Sequence, residues 1–378
     1  MTEPLGLYFH IPFCRTRCRY CGFYSISSMP DDRFIAALEK EMEQYSQTFQ
    51  GVPCDTVYFG GGTPSSLSSL QLGRIMESVR AHFQILPDAE ITMEMNPCDM
   101  TDAYLQAAGN VGINRLSVGV QAKQDRLLKM IGRSHTAKET EKAVRRAYKA
   151  GFHNISIDLM YELPTQTVKE FEDSLHWAMH LPVSHLSIYS LILEEGTPFA
   201  KLADEGKLPR PTEEESWAMY EAMCGIPVHY GFRRYEISSF ARNGRKSRHN
   251  EKYWRLDPYL GMGPSACSRI GRERWKDLPG TRRYIKALLS GEAVPKEVDR
   301  LTEAEEMEEY CFLHLRMAEG IPLAHFRSRY GAPLEKWYGE KITLLTKEGL
   351  LKENNGNLSL TKKGMALGNL VFEEFLRT

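Results

Sequence analysis

Leu5-Gly6-Leu7-Tyr8-Phe9-His10-Ile11-Pro12-Phe13-Cys14-Arg15-Thr16-Arg17-Cys18-Arg19-Tyr20-Cys21 decides how the rest of the chain is read. Residues 5–12 are an apolar run of strand length, and Pro12 ends it because proline cannot donate to a sheet ladder. Three cysteines with the spacing C-x3-C-x2-C follow, on a loop leaving that strand, where their side chains can converge. Thiolates are soft ligands that suit zinc, copper(I) or iron–sulfur clusters. A closed structural zinc site takes four ligands, and a cubane cluster normally takes four cysteines. Three thiolates on a cubane leave one iron open to a small molecule. Two other readings compete: a zinc knuckle that borrows His10 or a distant residue, and a chance cluster of cysteines.

A chain of 378 residues has room for two or three domains with sizeable cores. Its composition is that of a globular protein, 42% hydrophobic and 26% charged, with a net charge of -1. No global positive field attracts it to nucleic acid or to an anionic membrane. The first residues show no basic and apolar leader, and no apolar run approaches the roughly 18 residues of a membrane span. Besides the three clustered cysteines, Cys54, Cys98, Cys224, Cys267 and Cys311 are scattered without a disulfide framework. Together these features point to the reducing cytoplasm.

The first two-thirds of the chain alternates strand and helix signals. Short apolar runs at 5–12, 56–59, 90–95, 115–120, 154–160 and 185–191 read as strands. Between them lie helical patterns at 33–45, 70–83, 137–150, 168–179 and 213–224, opened by Asp31 or Asp32, Ser68 or Ser69, Thr136, Thr167 and Thr212. Gly151 closes the third of these in the usual position after a helix. Six βα units predict parallel strands with right-handed crossovers, in an open, partial barrel. A doubly wound sheet is the alternative, although no G-x-G-x-x-G follows the first strand.

In a barrel, functional residues collect at the C-terminal ends of the strands. Here the cysteine loop follows strand one, and Gly60-Gly61-Gly62-Thr63-Pro64 follows strand two. Strand three carries Glu94, strand four ends in Gln121, strand five carries Asp158 and strand six presents Tyr189 and Ser190. Glu94, Gln121 and Asp158 are polar within apolar strands, and burying them requires hydrogen bonds. A polar network without a ligand, a tight turn at the glycines and a surface position for Arg133 are the bland alternatives.

The cysteine motif, with Tyr20 just before its last member, resembles that of radical S-adenosylmethionine (SAM) enzymes. The pieces at 8–14, 60–64, 117–121, 132–133 and 158–167 narrow the resemblance to the oxygen-independent coproporphyrinogen oxidase superfamily, which includes the HemW heme chaperones. This similarity covers residues 5 to about 270 and extends weakly beyond. It implies a [4Fe–4S] cluster on Cys14, Cys18 and Cys21, with SAM on the open iron. It assigns Tyr8, Tyr20, Gly61, Gly62, Thr63, Glu94, Gln121, Arg133 and Asp158 to the SAM site, the Gly-Gly-Thr-Pro backbone meeting the SAM amino group. Within the superfamily, three features resemble HemW rather than the oxidase. Phe23 stands where the oxidase motif has a further cysteine, the oxidase's long N-terminal extension is missing, and His249-Asn250-Glu251-Lys252-Tyr253-Trp254 matches HNxxYW.

The HemW resemblance implies heme as a further cofactor, with His249 as its candidate ligand beside the flat faces of Tyr253 and Trp254. It also implies heme transfer to apo-hemoproteins, respiratory ones above all, with transient contact to membrane proteins. Decarboxylation of coproporphyrinogen III is the alternative activity. The chain departs from the pattern at Gly22, where HemW commonly has Asp. It departs again at 161–167, where Glu162 and Thr165 replace both glycines of YGLPGQT.

Three domains are expected: the partial barrel at 1–225, a β-rich extension at 226–294, and a winged-helix-like α+β module at 295–378. The run 261–266 is expected to close the barrel top, with Ala266 near the adenine. Residues 296–378 hold twelve Lys/Arg against fourteen Asp/Glu, an acidic balance that argues against phosphate binding.

Overall fold

The computed structural model describes residues 3–376. The six expected strands all form: β1 Leu5–Ile11, β2 Pro53–Gly61, β3 Gln84–Met95, β4 Arg115–Gln121, β5 Ile155–Tyr161 and β6 His185–Ser190. They pair in sequence order, all parallel. Asp31, Ser68, Thr136, Thr167 and Thr212 each accept a backbone N–H at a helix start, satisfying donors that the first turn leaves free. Gly151 takes a positive φ of 98° after the helix Ala137–Lys149.

Alternation along the strands sets the two faces of this sheet. Leu5, Leu7, Phe9 and Ile11 on β1, and Ile155, Ile157 and Leu159 on β5, point outward into one continuous core with the helices. Phe9 stacks on Phe59 of β2 at 5.1 Å within that layer. The intervening residues line a polar lumen. Tyr8 and His10 face it from β1, Thr56 and Tyr58 from β2, Glu90, Thr92 and Glu94 from β3, Arg115 and Ser117 from β4, Ser156 and Asp158 from β5, and His185 and Tyr189 from β6. The register places Tyr8 opposite Tyr58, Tyr58 opposite Thr92, and Thr92 opposite Arg115.

The six-stranded arc stays open, and later segments extend both edges. Beyond β6 lie β7 Arg233–Arg234 and β8 Ser239–Ala241, antiparallel. Beyond β1 lies β9 Tyr259–Met262, parallel to it, and then β10 Cys267–Ile270, β11 Glu273–Asp277 and β12 Lys296–Arg300, antiparallel. Residues 226–294 thus feed strands into both edges of the barrel sheet, and β12 belongs to the same sheet. The segment also holds two helices, Arg248–Arg255 and Thr281–Leu289. His249 therefore sits on a helix.

The C-terminal module is built from Glu303–Arg316, Leu323–Tyr330 and Glu335–Lys347 with β13 Ile321–Pro322, β14 Leu351–Asn354 and β15 Asn357–Leu360. The order β13-β15-β14, antiparallel throughout, is a winged-helix pattern. Its core gathers Tyr310, Leu315, Ile321, Phe326 and Leu358, and Leu256 joins it from the end of the helix Arg248–Arg255. Among the described residues no helix is long and apolar enough to cross a membrane.

The loop after β5 takes left-handed backbone at both positions where the expected glycines are absent. Glu162 and Thr165 both adopt φ of 61°, a left-handed conformation that costs a residue with a Cβ roughly 1–2 kcal/mol. Arg126 offsets part of this at Thr165. Its Nη1 donates to Thr165 Oγ1 at 2.8 Å and its Nη2 to the Thr165 carbonyl at 2.9 Å. No such clamp holds Glu162, which is only half-buried. Glu162→Gly is therefore expected to stabilise the protein by about 0.5–1 kcal/mol, the relief of strain less the extra unfolded-state freedom of glycine. Thr165→Gly should gain less, because it loses the Arg126 bond. Urea unfolding midpoints of the two variants check this order.

Candidate functional site

The cysteine loop leaves the C-terminal end of β1 and is tied down at several points. Cys14 N–H donates to the Ile26 carbonyl at 3.0 Å, and Arg19 N–H to the Ile131 carbonyl at 3.0 Å. Cys14 is buried, while Cys18 and Cys21 are half-buried. Two of the sulfurs receive hydrogen bonds: Thr63 Oγ1 donates to Cys14 Sγ at 3.5 Å, and Arg133 Nη1 to Cys18 Sγ at 3.6 Å. Burial raises the Cys21 thiol, and the Cys18 and Cys14 sulfurs beside it raise it further. Among the described residues no three His, Cys, Asp or Glu side chains close in far enough to hold a single metal ion. His10, the candidate fourth zinc ligand, is committed elsewhere. Its Nε2–H donates to the Tyr24 carbonyl at 2.9 Å, so its Nδ1 accepts from Tyr8 OH at 3.1 Å.

The glycine run sits where β2 ends, against the start of the cysteine loop. Gly62 N–H donates to the Ile11 carbonyl at 2.9 Å, and Thr63 N–H to the Phe13 carbonyl at 2.8 Å. Gly61 N–H donates to Glu94 Oε2 at 3.2 Å. With these three N–H groups used, the loop offers a ligand its carbonyl oxygens, which suit an ammonium group. The glycines are steric requirements as well. Gly61 has φ of 108°, and a Cβ there would lie 2.6 Å from the His10 ring. A Cβ on Gly62 would lie 2.9 Å from the Ile11 and Phe13 backbone.

Glu94 forms one wall. Its Oε1 accepts from Tyr58 OH at 2.9 Å while its Oε2 holds Gly61. Burial first and then the Asp158 charge raise it to about 7, against the Tyr58 bond. Asp158 is likewise raised, to about 6, chiefly by burial. Gln121 ends β4 at a register shift, with φ of 71°. Left-handed backbone in a residue other than glycine, next to a bulge, marks a site where a side chain is being aimed. Gln121 Oε1 accepts from Tyr189 OH at 3.3 Å. Arg133 enters from the following loop and donates Nη2 to the Gly119 carbonyl at 2.6 Å, while its buried Nε has no partner. A Cβ on Gly119 would stand 3.0 Å from Arg133 Nη2. Tyr20 packs by Arg133 and Asp158, and burial and the Cys18 sulfur push its phenol well up.

The structure thus brings Cys14, Cys18, Cys21, Tyr20, Gly61, Gly62, Thr63, Glu94, Gln121, Arg133 and Asp158 to one end of the barrel, with Tyr8 one layer below. Two further expected residues are buried by the protein itself. Ala266 is 1% exposed, in the turn behind β9. Its N–H donates to the Gly263 carbonyl and its carbonyl accepts from Asp277 N–H. Gly261 and Met262 widen the β1 edge as part of β9, and the turn after them meets the C-terminal part of β1, where a Cβ on Gly263 would lie 2.5 Å from the His10 carbonyl. His249 is fully buried at the opposite, N-terminal end of the barrel. Its Nδ1 bonds Thr56 Oγ1 at 2.8 Å and its Nε2 bonds Tyr253 OH at 2.9 Å. Burial lowers it to about 3, with Lys252 adding to the shift. Both nitrogens of this imidazole are thus engaged by side chains of the protein itself.

Tyr58, Arg115 and the pair Ser156–His185 belong to the lumen network but were not singled out from the sequence. Their signal was the two-residue alternation within strands that read simply as apolar.

The residues fit both expected cofactors. Three thiols on one loop, two of them already hydrogen-bonded, suit a cubane that keeps one iron open. The unpartnered Arg133 Nε, the buried carboxyl groups and the carbonyl-bearing glycine loop suit the charged amino-acid end of SAM.

Comparison with known proteins agrees with this geometry. Residues 8–178 match the radical SAM superfamily, and residues 301–367 match the HemN C-terminal domain. The heme chaperone HemW of Lactococcus lactis is 37% identical over 100% of this chain and 98% of its own length. The chain belongs to the HemW family of radical SAM proteins. HemW of Escherichia coli is 30% identical over 99% of this chain and 98% of its own. A mitochondrial radical SAM domain-containing protein 1 from Bos taurus is 33% identical over 97% and 86%. Among solved structures, coproporphyrinogen III oxidase (HemN) from Escherichia coli, a radical SAM enzyme, superposes with a TM-score of 0.85 at 25% identity, over 98% of this chain and 90% of that one. The family pattern thus extends through the C-terminal module.

A cation beside Glu94 favours its carboxylate, lowers its pKa and expels a proton. SAM affinity is therefore expected to rise as pH increases through about 7. Titration calorimetry in buffers of different ionisation heat should show proton release near that pH, and Glu94→Gln should abolish the release. Affinity that is flat with pH and free of proton release would show that Glu94 does not face the ligand.

Proposed function

We propose that this protein is a heme chaperone that carries a [4Fe–4S] cluster on Cys14, Cys18 and Cys21, binds SAM at the open iron, and passes heme to apo-hemoproteins. The observation that supports it most is full-length similarity to heme chaperones, joined to an intact ring of thiol, carboxyl, guanidinium and glycine-loop groups at the C-terminal ends of the strands. Cluster and SAM together supply one-electron chemistry when bound, as a cofactor does. The protein's own part is positional. The carbonyls of the glycine loop receive the SAM ammonium, Arg133 faces its carboxylate, and Glu94 and Asp158 hold the remaining polar groups in a site walled from water.

Heme is assigned to the cluster side of the barrel. Phe23 and Ile192 are 68% and 64% exposed there. Their loops meet, since a Cβ on Gly22 would touch Glu194 at 2.8 Å. Two exposed apolar side chains on adjoining loops offer a porphyrin face a dry contact. The oxidase fold match supports the second reading, decarboxylation of coproporphyrinogen III. The acceptors we have in mind are respiratory hemoproteins met from the cytoplasm, through transient contact when they are membrane-bound.

Anaerobic reconstitution should give about four irons and four sulfides per chain, and loss of any one of the three cysteines should abolish the cluster. One tightly held zinc without sulfide would remove this reading. Reconstituted protein should then bind about one heme per chain, His249→Ala should leave that stoichiometry unchanged, and coproporphyrinogen III should not be consumed. Protein that binds no heme but converts coproporphyrinogen III with consumption of SAM is instead the oxidase.

A further inference from the structure

The helix Arg248–Arg255 lies across the end of the barrel opposite the cysteine loop. Arg248 Nη1 donates to the Asp88 carbonyl at 2.7 Å, His249 N–H to Glu90 Oε1 at 3.2 Å, and Lys252 Nζ reaches Asp55 Oδ1 and the Pro4 carbonyl, both at 2.8 Å. Pro4 precedes β1, Asp55 lies near the start of β2, and Asp88 and Glu90 lie in β3 before its pairing with β4 begins at Thr92, so the helix plugs the lumen from below. His249 brings its ring against the lumen tyrosines. That ring stacks on Tyr58 at 5.1 Å with 27° between planes, and on Tyr8 at 6.3 Å with 27°. Tyr58 is confined from the other side too, because a Cβ on Gly60 would stand 3.0 Å from it. The confined ring sets where the Tyr58 hydroxyl lies, and that hydroxyl holds Glu94 at 2.9 Å.

We propose that His249 is a positioning residue for the SAM site, acting through Tyr58 on Glu94, and that the C-terminal module holds it in register. A flat ring is needed to stack under Tyr58. Two ring nitrogens are needed to satisfy Thr56 Oγ1 and Tyr253 OH, which would otherwise be left buried and unpaired. Histidine meets both demands, and iron ligation is not required to explain it. The rest of the motif ties the plug to the module. Tyr253 packs edge-on against Trp254 at 6.2 Å, and the Arg316 guanidinium lies 4.2 Å over the Trp254 ring. Arg316 ends the first helix of the module and also pairs with Glu236 at 3.1 Å. Lys246 pairs with Glu319 just beyond it at 2.9 Å.

This inference rests on Glu94 forming a wall of the SAM cradle, and its test separates the two. SAM affinity would be measured by calorimetry on reconstituted full-length protein carrying Glu94→Gln, Tyr58→Phe, His249→Ala, and the last two combined. Each single change is expected to weaken SAM about tenfold, the loss of one hydrogen bond to a charged group. The double variant should be no more than about twofold weaker than either single one, because both act through the same contact. Iron content and heme stoichiometry should stay at wild-type values. If Glu94→Gln leaves SAM affinity unchanged, the cradle reading falls and this inference with it. If Glu94→Gln weakens SAM while His249→Ala does not, or if the double variant loses about a hundredfold, the inference alone is overturned. Should His249→Ala not fold, His249→Gln keeps polar atoms for Thr56 and Tyr253 without the aromatic stack, and the same cycle with Tyr58→Phe decides.

Discussion

Much of this structure follows from enclosing a polar lumen inside a parallel sheet. Glu90, Glu94, Arg115, Asp158, His185 and His249 stand where water is scarce, and an unpaired polar or charged group there costs several kcal/mol. Each is accommodated by a neighbour or by a change of protonation. Glu94 has Tyr58 and Gly61, His185 has Ser156 and Tyr235, and His249 has Thr56 and Tyr253. Arg115, 2% exposed, stands 3.9 Å from Glu90 and offsets the carboxyl groups around it. The lumen is thus a scaffold whose upper layer opens into the binding site.

That constraint explains why the barrel depends on later parts of the chain. Six strands leave two open edges and an open lower end. β9 and the antiparallel strands after it cover the β1 edge, and β7 and β8 cover the β6 edge, hiding ladders that would otherwise pair with other chains. The helix Arg248–Arg255 fills the lower end. Tyr235, bonded to His185 within the lumen, also passes its carbonyl to Ala318 N–H of the C-terminal module. The acidic module is therefore anchored to the barrel through a residue that also completes its interior.

The loop after β5 shows how a local rule yields to its surroundings. Left-handed backbone favours glycine, yet Glu162 and Thr165 hold it. Neighbouring β4 and β6, and the Arg126 clamp, over-determine the path of the loop. The departure from the family's glycines therefore leaves the wall of the site in place and is felt as strain.

The sequence by itself determined the six strands, the helix caps that separate them, the winged module and the loop carrying Cys14, Cys18 and Cys21. Those are local matters: apolar runs of strand length, Ser, Thr or Asp before a helix, and ligand spacing within eight residues. It also exposed Glu94, Gln121 and Asp158, because a polar residue in an apolar strand is visible without any partner. Tertiary structure alone decided which polar residues share the lumen, since Tyr58, Arg115 and His185 acquire meaning only when register sets them side by side. It decided, too, that Gly261 and Met262 would join the sheet beside β1. The place of His249 was beyond the sequence for the same reason. A histidine beside two aromatics reads equally well as a metal ligand or as a packed ring, and its partners, 193 residues back at Thr56 and four on at Tyr253, appear only in the folded chain.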